Sequence, residues 1–370
     1  MKWEVIVIPQ AVLHRQRTRR LMVGAVPVGG GAQVSIQSMT NTNTADVQAT
    51  LAQIHALETA GCEIVRVAVP DMEAARAIGA IRAGIHIPLV ADIHFDGRLA
   101  VAALEAGADK LRINPGNLPD KHLDMLLAAL KARPVPVRVG VNAGSLPKDL
   151  LAQLGMSAET MVQAALRHVR LLEDAGFYDC AVSLKAPDVL MTVQAYRRMA
   201  ELGAYPLHVG VTHASTAEGL GLVKSAMGIG AVLLDGIGDT LRVSLTGDPV
   251  QEVAAGQAIL AAAGIRRFGV EIIACPTCGR CRMPIEPLVR DVEARLAGLQ
   301  APLTVAVMGC EVNGPGEARH ADIGIAGSAP AHGEAYGVLF CKGELVQRYP
   351  VKELVDRCVD MAFEMAKIES

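Results

Sequence analysis

The chain has 370 residues, of which 51% are hydrophobic, so it is longer than one average domain and can bury large cores. A formal net charge of −3 and an aromatic content of 3% argue against nucleic acid or an anionic membrane as the partner. No apolar run approaches the ~18 residues of a membrane span, and the basic cluster near the start follows its apolar stretch, the reverse of a secretory signal; we expect a cytoplasmic protein.

Strands and helices are predicted to alternate from about residue 33 to residue 262. Eight short apolar or alternating segments predict strands: VSIQSM, EIVRVAV, PLVADIHF, KLRINPG, VPVRVGVN, CAVSLKA, LHVGVT and TLRVSL. Helices are predicted between most of them, for example from near Thr44 to Gly61 and over residues 158–175. This alternation predicts an α/β fold with a closed parallel (β/α)8 barrel of the TIM type, and a doubly wound open sheet is the alternative.

The pattern changes after Gly264. A cysteine motif is followed by a predicted helix near residues 287–299, a strand LTVAVMG, a glycine-rich turn, strand-like DIGIAG and GVLFCKG, and a last helix from about Val351. This order predicts a smaller α+β domain. We therefore expect residues 1–262 to form the barrel and residues 263–370 to form the second domain.

Cationic side chains interrupt or end the predicted barrel strands: Arg66, Arg112, Arg138, Lys185 and Arg242. Polar residues lie near the same strand ends: Asp92, His94, Asn114, Asn142 and Ser244. The carboxyl ends of barrel strands open onto the active site, and an unpaired buried charge is costly. Because Asp92 cannot balance five cations, we predict that a phosphate or diphosphate binds there; alternatively, each cation pairs with a carboxylate elsewhere in the barrel.

Four of the eight cysteines fall in a motif-rich region, whereas the others are scattered. Cys275 and Cys278 have the C-x-x-C spacing that lets two thiolates reach one metal centre, and Cys310 ends a strand before a glycine-rich turn. The fourth ligand is open: Cys281 would extend a ferredoxin-like run or complete a four-cysteine zinc site, whereas Glu317 would be a more weakly held ligand for iron.

Several long segments resemble one family: SIQSMTNTNTADVQATLAQI, VADIHFDGRLA, LRINPGN, VGVNAGSLPKDL, KSAMGIGAVLLDGIGDTLRVSL, ACPTCGR and NGPGEARHADIGIAG. The chain is similar over these segments, from about Val23 to its end, to the bacterial 4-hydroxy-3-methylbut-2-enyl diphosphate synthases. The resemblance implies reductive ring opening and dehydroxylation of 2-C-methyl-D-erythritol 2,4-cyclodiphosphate to 4-hydroxy-3-methylbut-2-enyl diphosphate. That reaction belongs to the non-mevalonate isoprenoid pathway, and its two electrons come from flavodoxin or ferredoxin.

The resemblance also implies roles for individual residues. It implies one 4Fe–4S cluster per chain, held by Cys275, Cys278, Cys310 and Glu317, with Cys281 as an extra cysteine. It implies diphosphate contacts from Arg66, His94, Arg112, Arg138, Asn142, Lys185, Arg242 and Ser244, and a site role for Asp92. It implies a homodimer in which the cluster domain of one subunit closes over its partner's barrel.

One position departs from the family pattern. The family usually has Thr-Glu-Ala-Gly after the seventh strand, where this chain has Thr212, His213, Ala214 and Ser215. We expect His213 to replace the glutamate as general acid, because imidazole can deliver a proton near neutral pH. Glu218 is the rival residue, and a solvent-facing histidine is the structural alternative.

Three other functions compete with this one. The chain could be an iron–sulfur reductase of a related phosphorylated substrate, or a barrel enzyme for a phosphorylated or pterin-like substrate with a zinc-stabilised second domain. A cluster-based iron or oxygen sensor is the non-enzymatic alternative.

Overall fold

The computed structural model describes residues 15–94, 96–113, 120–212, 219–310, 321–330 and 334–369. The chain forms two compact units, Met1–Ile265 and Arg266–Ser370. In the described part of the chain, none of the helices combines the length and the apolar character needed to cross a membrane.

The described part of the first unit contains an antiparallel hairpin followed by eight parallel strands. The hairpin strands are β1 (Leu21–Val23) and β2 (Val26–Val28). The parallel strands are β3 (Ser35–Met39), β4 (Ile64–Ala68), β5 (Leu89–Ile93), β6 (Lys110–Ile113), β7 (Val137–Asn142), β8 (Cys180–Lys185), β9 (His208–Val209) and β10 (Thr240–Leu241).

Helices follow the strands of this unit and cover them on the outside. They are α1 (Val47–Thr59), α2 (Met72–Ala83), α3 (Gly97–Glu105), α4 (Asp120–Ala132), α5 (Lys148–Leu154), α6 (Ala158–Asp174), α7 (Val189–Leu202), α8 (Leu220–Leu234) and α9 (Pro249–Ala262), with a short 3-10 helix at Ala143–Ser145. Several begin at an aspartate whose carboxylate accepts a backbone N–H of the first turn: Asp46, Asp71, Asp96, Asp188 and Asp248. These caps define where each strand-to-helix loop ends.

The eight parallel strands close into a barrel. Their order is β8-β7-β6-β5-β4-β3-β10-β9. A parallel bridge between Val182 of β8 and Leu207, just before β9, joins the two ends of this order. The predicted (β/α)8 barrel is therefore confirmed, and the doubly wound open sheet is wrong.

The described residues of the second unit form a five-stranded mixed sheet and two helices. Its elements are β11 (Glu271–Ala274), α10 (Ile285–Leu296), β12 (Thr304–Met308), β13 (Ile323–Gly327), β14 (Tyr336–Cys341), β15 (Glu344–Pro350) and α11 (Val351–Glu369). Strands β11, β12 and β13 are parallel, and β14 and β15 continue the sheet antiparallel. The predicted α+β character is confirmed.

Two apolar clusters hold this sheet. One joins α10 and α11 to the sheet through side chains such as Val292, Leu296, Leu354 and Cys358. The other contains Ala306, Met308, Ala326, Val338 and Phe340, and Cys275 packs against it. The first cysteine of the C-x-x-C motif is thus anchored to the sheet by packing.

Candidate active site and metal centre

A polar cavity lies at the carboxyl ends of the barrel strands. It has a volume of about 240 Å³. Its lining consists of Arg66, Asp92, His94, Arg112, Arg138, Asn142, Ser183, Lys185, Thr212, Arg242 and Ser244. The structure therefore brings together all nine residues that the sequence proposed for the barrel site and that belong to the described part. Asn114, His213 and Glu218 lie outside the described residues.

On one wall of this cavity, Asp92 contacts three other polar side chains: Arg66, Arg112 and His94. Its Oδ1 accepts a hydrogen bond from Arg112 Nη1 at 3.0 Å, and its Oδ2 lies 3.8 Å from Arg66 Nε. His94 Nε2 lies 3.5 Å from Asp92 Oδ1 and 2.8 Å from Arg112 Nη1. Burial opposes ionisation of Asp92, but the nearby cations outweigh it and hold the pKa of this carboxyl well below its usual range. An ionised, paired carboxylate orients the guanidinium groups and is a poor proton donor.

Arg138 and Lys185 have no such compensation. Neither forms an ion pair with a residue that the structure describes, and Nε and Nη1 of Arg138 are buried without a hydrogen-bond partner there. Burial, followed by the charges of neighbouring arginines, lowers the pKa of both side chains well below their usual values. A ligand with several negative charges would satisfy both groups.

Two glycines make room for the side chains of Arg112 and Lys185. A Cβ on Gly140 of β7 would lie 2.6 Å from Arg112 Nε, and a Cβ on Gly210 would lie 2.9 Å from Lys185 Nζ. Both contacts are shorter than side-chain atoms tolerate. The cations fill the barrel interior because these two inward-facing positions lack side chains.

The sequence left open that the cations pair with carboxylates of the barrel instead of a bound phosphate. For Arg242 such a pairing is present. Its Nε and Nη2 bind the two carboxylate oxygens of Glu252, on α9, at 3.0 and 2.9 Å. The sequence analysis did not identify Glu252, because nothing in a helix sequence shows that one of its side chains reaches into the barrel. It also missed Ser183, although Ser183 shares a strand face with Lys185 by the two-residue period.

Below this cavity the barrel interior holds further buried polar groups. Lys110 precedes Arg112 by two residues on β6 and is 1% exposed. Burial and the charge of Arg138 lower the pKa of Lys110 to about 7, although Asp239 opposes this shift. His208 donates or accepts one hydrogen bond, between Nδ1 and Thr240 Oγ1 at 2.7 Å, and burial lowers its pKa well below the usual value. Burial thus disfavours the charged forms of Lys110 and His208, so this part of the barrel interior carries less positive charge than its residue types alone would suggest.

The cysteine motif lies at one edge of the second unit. Cys275 follows β11, and Cys310 follows β12, the parallel neighbour of β11, after one glycine. The backbone N–H of Cys275 donates to Val307 O at 2.9 Å, which continues the strand pairing to the first cysteine. The carboxyl ends of two adjacent parallel strands therefore bring Cys275 and Cys310 to the same edge of the sheet.

Gly309 shows how closely the thiols approach this edge. A Cβ on Gly309 would lie 2.6 Å from Cys281 Sγ and 3.5 Å from Cys275 Sγ. Cys278 is exposed, and hydrogen bonds from Arg280 lower the pKa of its thiol. Cys281 Sγ instead donates to Met283 O at 3.1 Å. Thiolate donors suit an iron–sulfur centre. Among these cysteines, the Cys281 thiol is the one whose hydrogen bond goes to a backbone carbonyl two residues further along the chain.

A complete ligand set is not formed by the described side chains. Within the ranges given above, no three His, Cys, Asp or Glu side chains are arranged to hold one metal ion. The predicted fourth ligand, Glu317, lies outside the described residues.

Two family models match this chain. The GcpE TIM-barrel domain matches residues 18–257, and the GcpE protein C-terminal domain matches residues 271–364. The chain belongs to the GcpE family. The family resemblance predicted from the sequence motifs is thereby confirmed.

Relatives in the GcpE family cover nearly the whole chain. A protein of Geobacter sulfurreducens is 54% identical over 347 residues, which cover 93% of this chain and 97% of that protein. A protein of Thermodesulfovibrio yellowstonii is 50% identical over 351 residues, covering 94% and 99%. Both are named 4-hydroxy-3-methylbut-2-en-1-yl diphosphate synthase (flavodoxin).

The barrel is also similar to a solved structure outside the GcpE relatives. Dihydropteroate synthase from Stenotrophomonas maltophilia, with imidazole bound in its active site, matches 67% of this chain and 100% of its own, with a TM-score of 0.51. The two sequences are 16% identical. This similarity shows a shared barrel fold and nothing about the reaction.

Proposed function

We propose that this chain reduces 2-C-methyl-D-erythritol 2,4-cyclodiphosphate to 4-hydroxy-3-methylbut-2-enyl diphosphate, in isoprenoid biosynthesis by the non-mevalonate pathway. Two electrons and the accompanying protons open the ring, and the hydroxyl oxygen leaves as water. The observation that carries this proposal is the barrel cavity, where Arg138 and Lys185 have no carboxylate partner among the described residues. The names of the GcpE relatives support the choice of substrate.

The barrel residues bind and orient the diphosphate in this proposal. The guanidinium groups of Arg112 and Arg138 and the ammonium group of Lys185 neutralise its oxygens, since guanidinium binds phosphate through two parallel hydrogen bonds. Asn142 and Ser244 donate neutral hydrogen bonds from the same cavity lining. The remaining contacts of the proposed set are Arg66, His94 and Arg242. Asp92 keeps Arg66 and Arg112 in place by its ion pairs.

The second unit holds one 4Fe–4S cluster through Cys275, Cys278, Cys310 and Glu317 in this proposal. When bound, such a cluster supplies electrons one at a time, received from flavodoxin or ferredoxin. Three thiolates and one carboxylate make an asymmetric ligand set, in which the carboxylate is held more weakly. His213 is the proposed proton donor in place of the family's glutamate, with Glu218 as its rival.

We also propose that the enzyme is a cytoplasmic homodimer in which one subunit's cluster serves its partner's barrel. An apolar stripe on α8 supports self-association: Leu220, Val223, Met227 and Leu234 are all more than half exposed, at 64%, 51%, 62% and 58%.

Complementation between two inactive variants tests the shared site. An Arg112→Ala/Arg138→Ala chain and a Cys310→Ser chain, each inactive alone, should regain activity when mixed and allowed to exchange subunits. Mixed dimers without activity would contradict a shared site.

The activity itself is tested with anaerobically purified protein, reduced flavodoxin and the cyclodiphosphate. We expect formation of 4-hydroxy-3-methylbut-2-enyl diphosphate and about four irons and four sulfides per chain, the content of one such cluster. Zinc in place of iron would indicate a structural second unit. An intact cluster with no turnover of the cyclodiphosphate would contradict the proposed substrate and favour a related phosphorylated substrate or a sensor.

A further inference from the structure

The buried carboxylate of Glu252 binds the cavity residue Arg242, the hydroxyl of Ser38 and the backbone of Leu245. Its Oε2 accepts from Arg242 Nε and Ser38 Oγ, both at 3.0 Å, and its Oε1 accepts from Arg242 Nη2 at 2.9 Å and from the backbone N–H of Leu245 at 3.1 Å. Glu252 is 3% exposed. Both oxygens are therefore fully used by protein donors.

Two features of the location of Glu252 suit an acidic side chain. It lies in the first turn of α9, where the helix dipole stabilises negative charge. Arg242 is its bidentate partner, and hydrogen bonds to a charged acceptor are stronger than neutral ones. A neutral side chain at this position could not satisfy all four donors.

The bidentate pair fixes the orientation of Arg242. One edge of the guanidinium group, Nε and Nη2, is turned towards Glu252, which leaves Nη1 as the nitrogen not bound by the carboxylate. Met39 Sδ lies 3.8 Å from Arg242 Nη1 and 3.1 Å from Arg66 Nε. The Met39 thioether thus contacts two cavity arginines.

The hydrogen bond from the Leu245 N–H to Glu252 also fixes the backbone that follows Arg242. Ser244 lies between Arg242 and Leu245 and lines the cavity beside Arg242. Because Glu252 binds the side chain of Arg242 and the N–H of Leu245, it clamps the segment that carries both residues. One carboxylate from outside the cavity lining therefore sets the position of two donors inside it.

We propose that Glu252 is a positioning residue for diphosphate binding, acting through Arg242 and Ser244. The identity of the substrate in this inference is taken from the proposed function. Glu252 does not touch the ligand; its charge and shape hold the Arg242 guanidinium and the following backbone in the geometry that receives phosphate oxygens. The charge of Glu252 also supports the ionised form of Arg66, whose pKa burial lowers to about 10.

A double-mutant cycle separates positioning from simple stabilisation of the fold. Glu252→Gln, Arg242→Ala and the double variant are prepared as the full cluster-containing chain, and binding of inorganic diphosphate is measured by calorimetry. Glu252→Gln should raise the Kd about tenfold, the effect expected for one charge-assisted hydrogen bond. In the Arg242→Ala background the same change should raise the Kd by clearly less than in the parent background, because only the contribution through the Leu245 N–H and Ser244 remains. Equal effects in both backgrounds would overturn the proposal.

A matched control removes another barrel carboxylate. Glu63 Oε2 accepts the backbone N–H of Ile36 at 2.8 Å, at the amino end of β4 and away from the cavity lining. Glu63→Gln should leave the Kd for diphosphate unchanged, and an increase equal to that of Glu252→Gln would show a nonspecific effect and reject the proposal. If Glu252→Gln does not fold, the cycle is run with Glu252→Asp, which keeps the charge but shortens its reach.

Turnover gives a second, independent result. With the cyclodiphosphate as substrate, Glu252→Gln should raise KM about tenfold and change kcat by less than about twofold, because a positioning contact made equally in ground and transition state acts on KM. A fall in kcat with constant KM would contradict the proposal. Absence of turnover in the parent enzyme would defeat the substrate assignment, while the calorimetric cycle would still decide the role of Glu252.

Discussion

Replacement of Lys110 by methionine tests how much the buried positive charge costs the barrel. Lys110 is 1% exposed, and burial with the charge of Arg138 lowers its pKa to about 7. In the unfolded chain a lysine has a pKa of about 10.4. Methionine has a similar length and no charge, so Lys110→Met removes the cost of a buried ammonium group and keeps most of the packing.

The sign follows from proton binding in the two states. Between pH 7 and pH 10.4 the unfolded chain binds a proton that the folded chain has released, so the stability of the parent rises with pH in this window. The full cost of Lys110 is present below about pH 7 and is lost as the pH approaches 10.4. Lys110→Met should be more stable than the parent by about 4 kcal/mol at pH 7, and by about 1 kcal/mol at pH 9.5.

Thermal melting of both proteins at the two pH values measures this change. Effects common to both proteins cancel in the difference between their Tm values. That difference should shrink by roughly 6–12 °C from pH 7 to pH 9.5, since 1 kcal/mol corresponds to about 2–4 °C for a unit of this size. Lys131→Met, on the exposed side of α4, should show no such trend. A Tm difference that is the same at both pH values would refute the argument that Lys110 is a costly buried cation.

Three further predictions concern the proposed site. Arg112→Ala should raise KM severalfold or more with cluster content intact, because it removes a charge-assisted contact of roughly 1.5–3 kcal/mol; an unchanged KM would give Arg112 a purely structural role. Cys310→Ser should lose the cluster and Cys281→Ser should keep it, as counted by iron and sulfide per chain; the opposite pattern would overturn the ligand assignment. Glu317→Cys should retain a cluster but slow turnover sharply, since thiolate binds iron more tightly than carboxylate, and equal rates would show that Glu317 is not the exchangeable ligand.

The barrel was predictable because its strands are apolar on both faces and its helices are marked by caps. The strands β4 to β8 are almost wholly buried, which gives the continuous apolar runs seen in the sequence. The hairpin of β1 and β2 was missed. Pro27 pairs with Met22 in that hairpin, and proline in a short alternating run argues against a strand except at an edge.

The outer strands of the second unit were missed for a related reason. Strand β15 is exposed over most of its length, so its sequence, ELVQRYP, lacks a buried face that would set a two-residue pattern. Strand β11 has only four residues, EIIA, which is too short for periodicity to separate strand from helix. Both strands depend on pairing with neighbours, which a local pattern does not show.

The candidate site also contains residues that the sequence could identify and residues that it could not. Arg112, Arg138 and Lys185 could be found from the sequence because a cation in an apolar strand contradicts the pattern around it. Asp92, the partner of Arg112, could also be found, but Glu252, the partner of Arg242, could not. Glu252 comes from the helix that follows β10, and Gly140 is significant only because Arg112 occupies the space a Cβ would need. Such contacts depend on how strands and helices close around the barrel axis.

The distribution of pairing within the cavity explains why a polyanion is the expected ligand. Asp92 is shared by Arg66 and Arg112, and Glu252 pairs with Arg242, so two carboxylates face these three arginines. The five cations of the cavity therefore exceed their two carboxylates, and Arg138 and Lys185 form no ion pair with a described residue. A neutral sugar would add hydrogen bonds but would leave both cations buried without a counter-charge, which is the larger energetic cost. A polyanionic ligand such as a diphosphate relieves that cost on binding, so its affinity for the barrel should depend strongly on the two cations that lack a carboxylate.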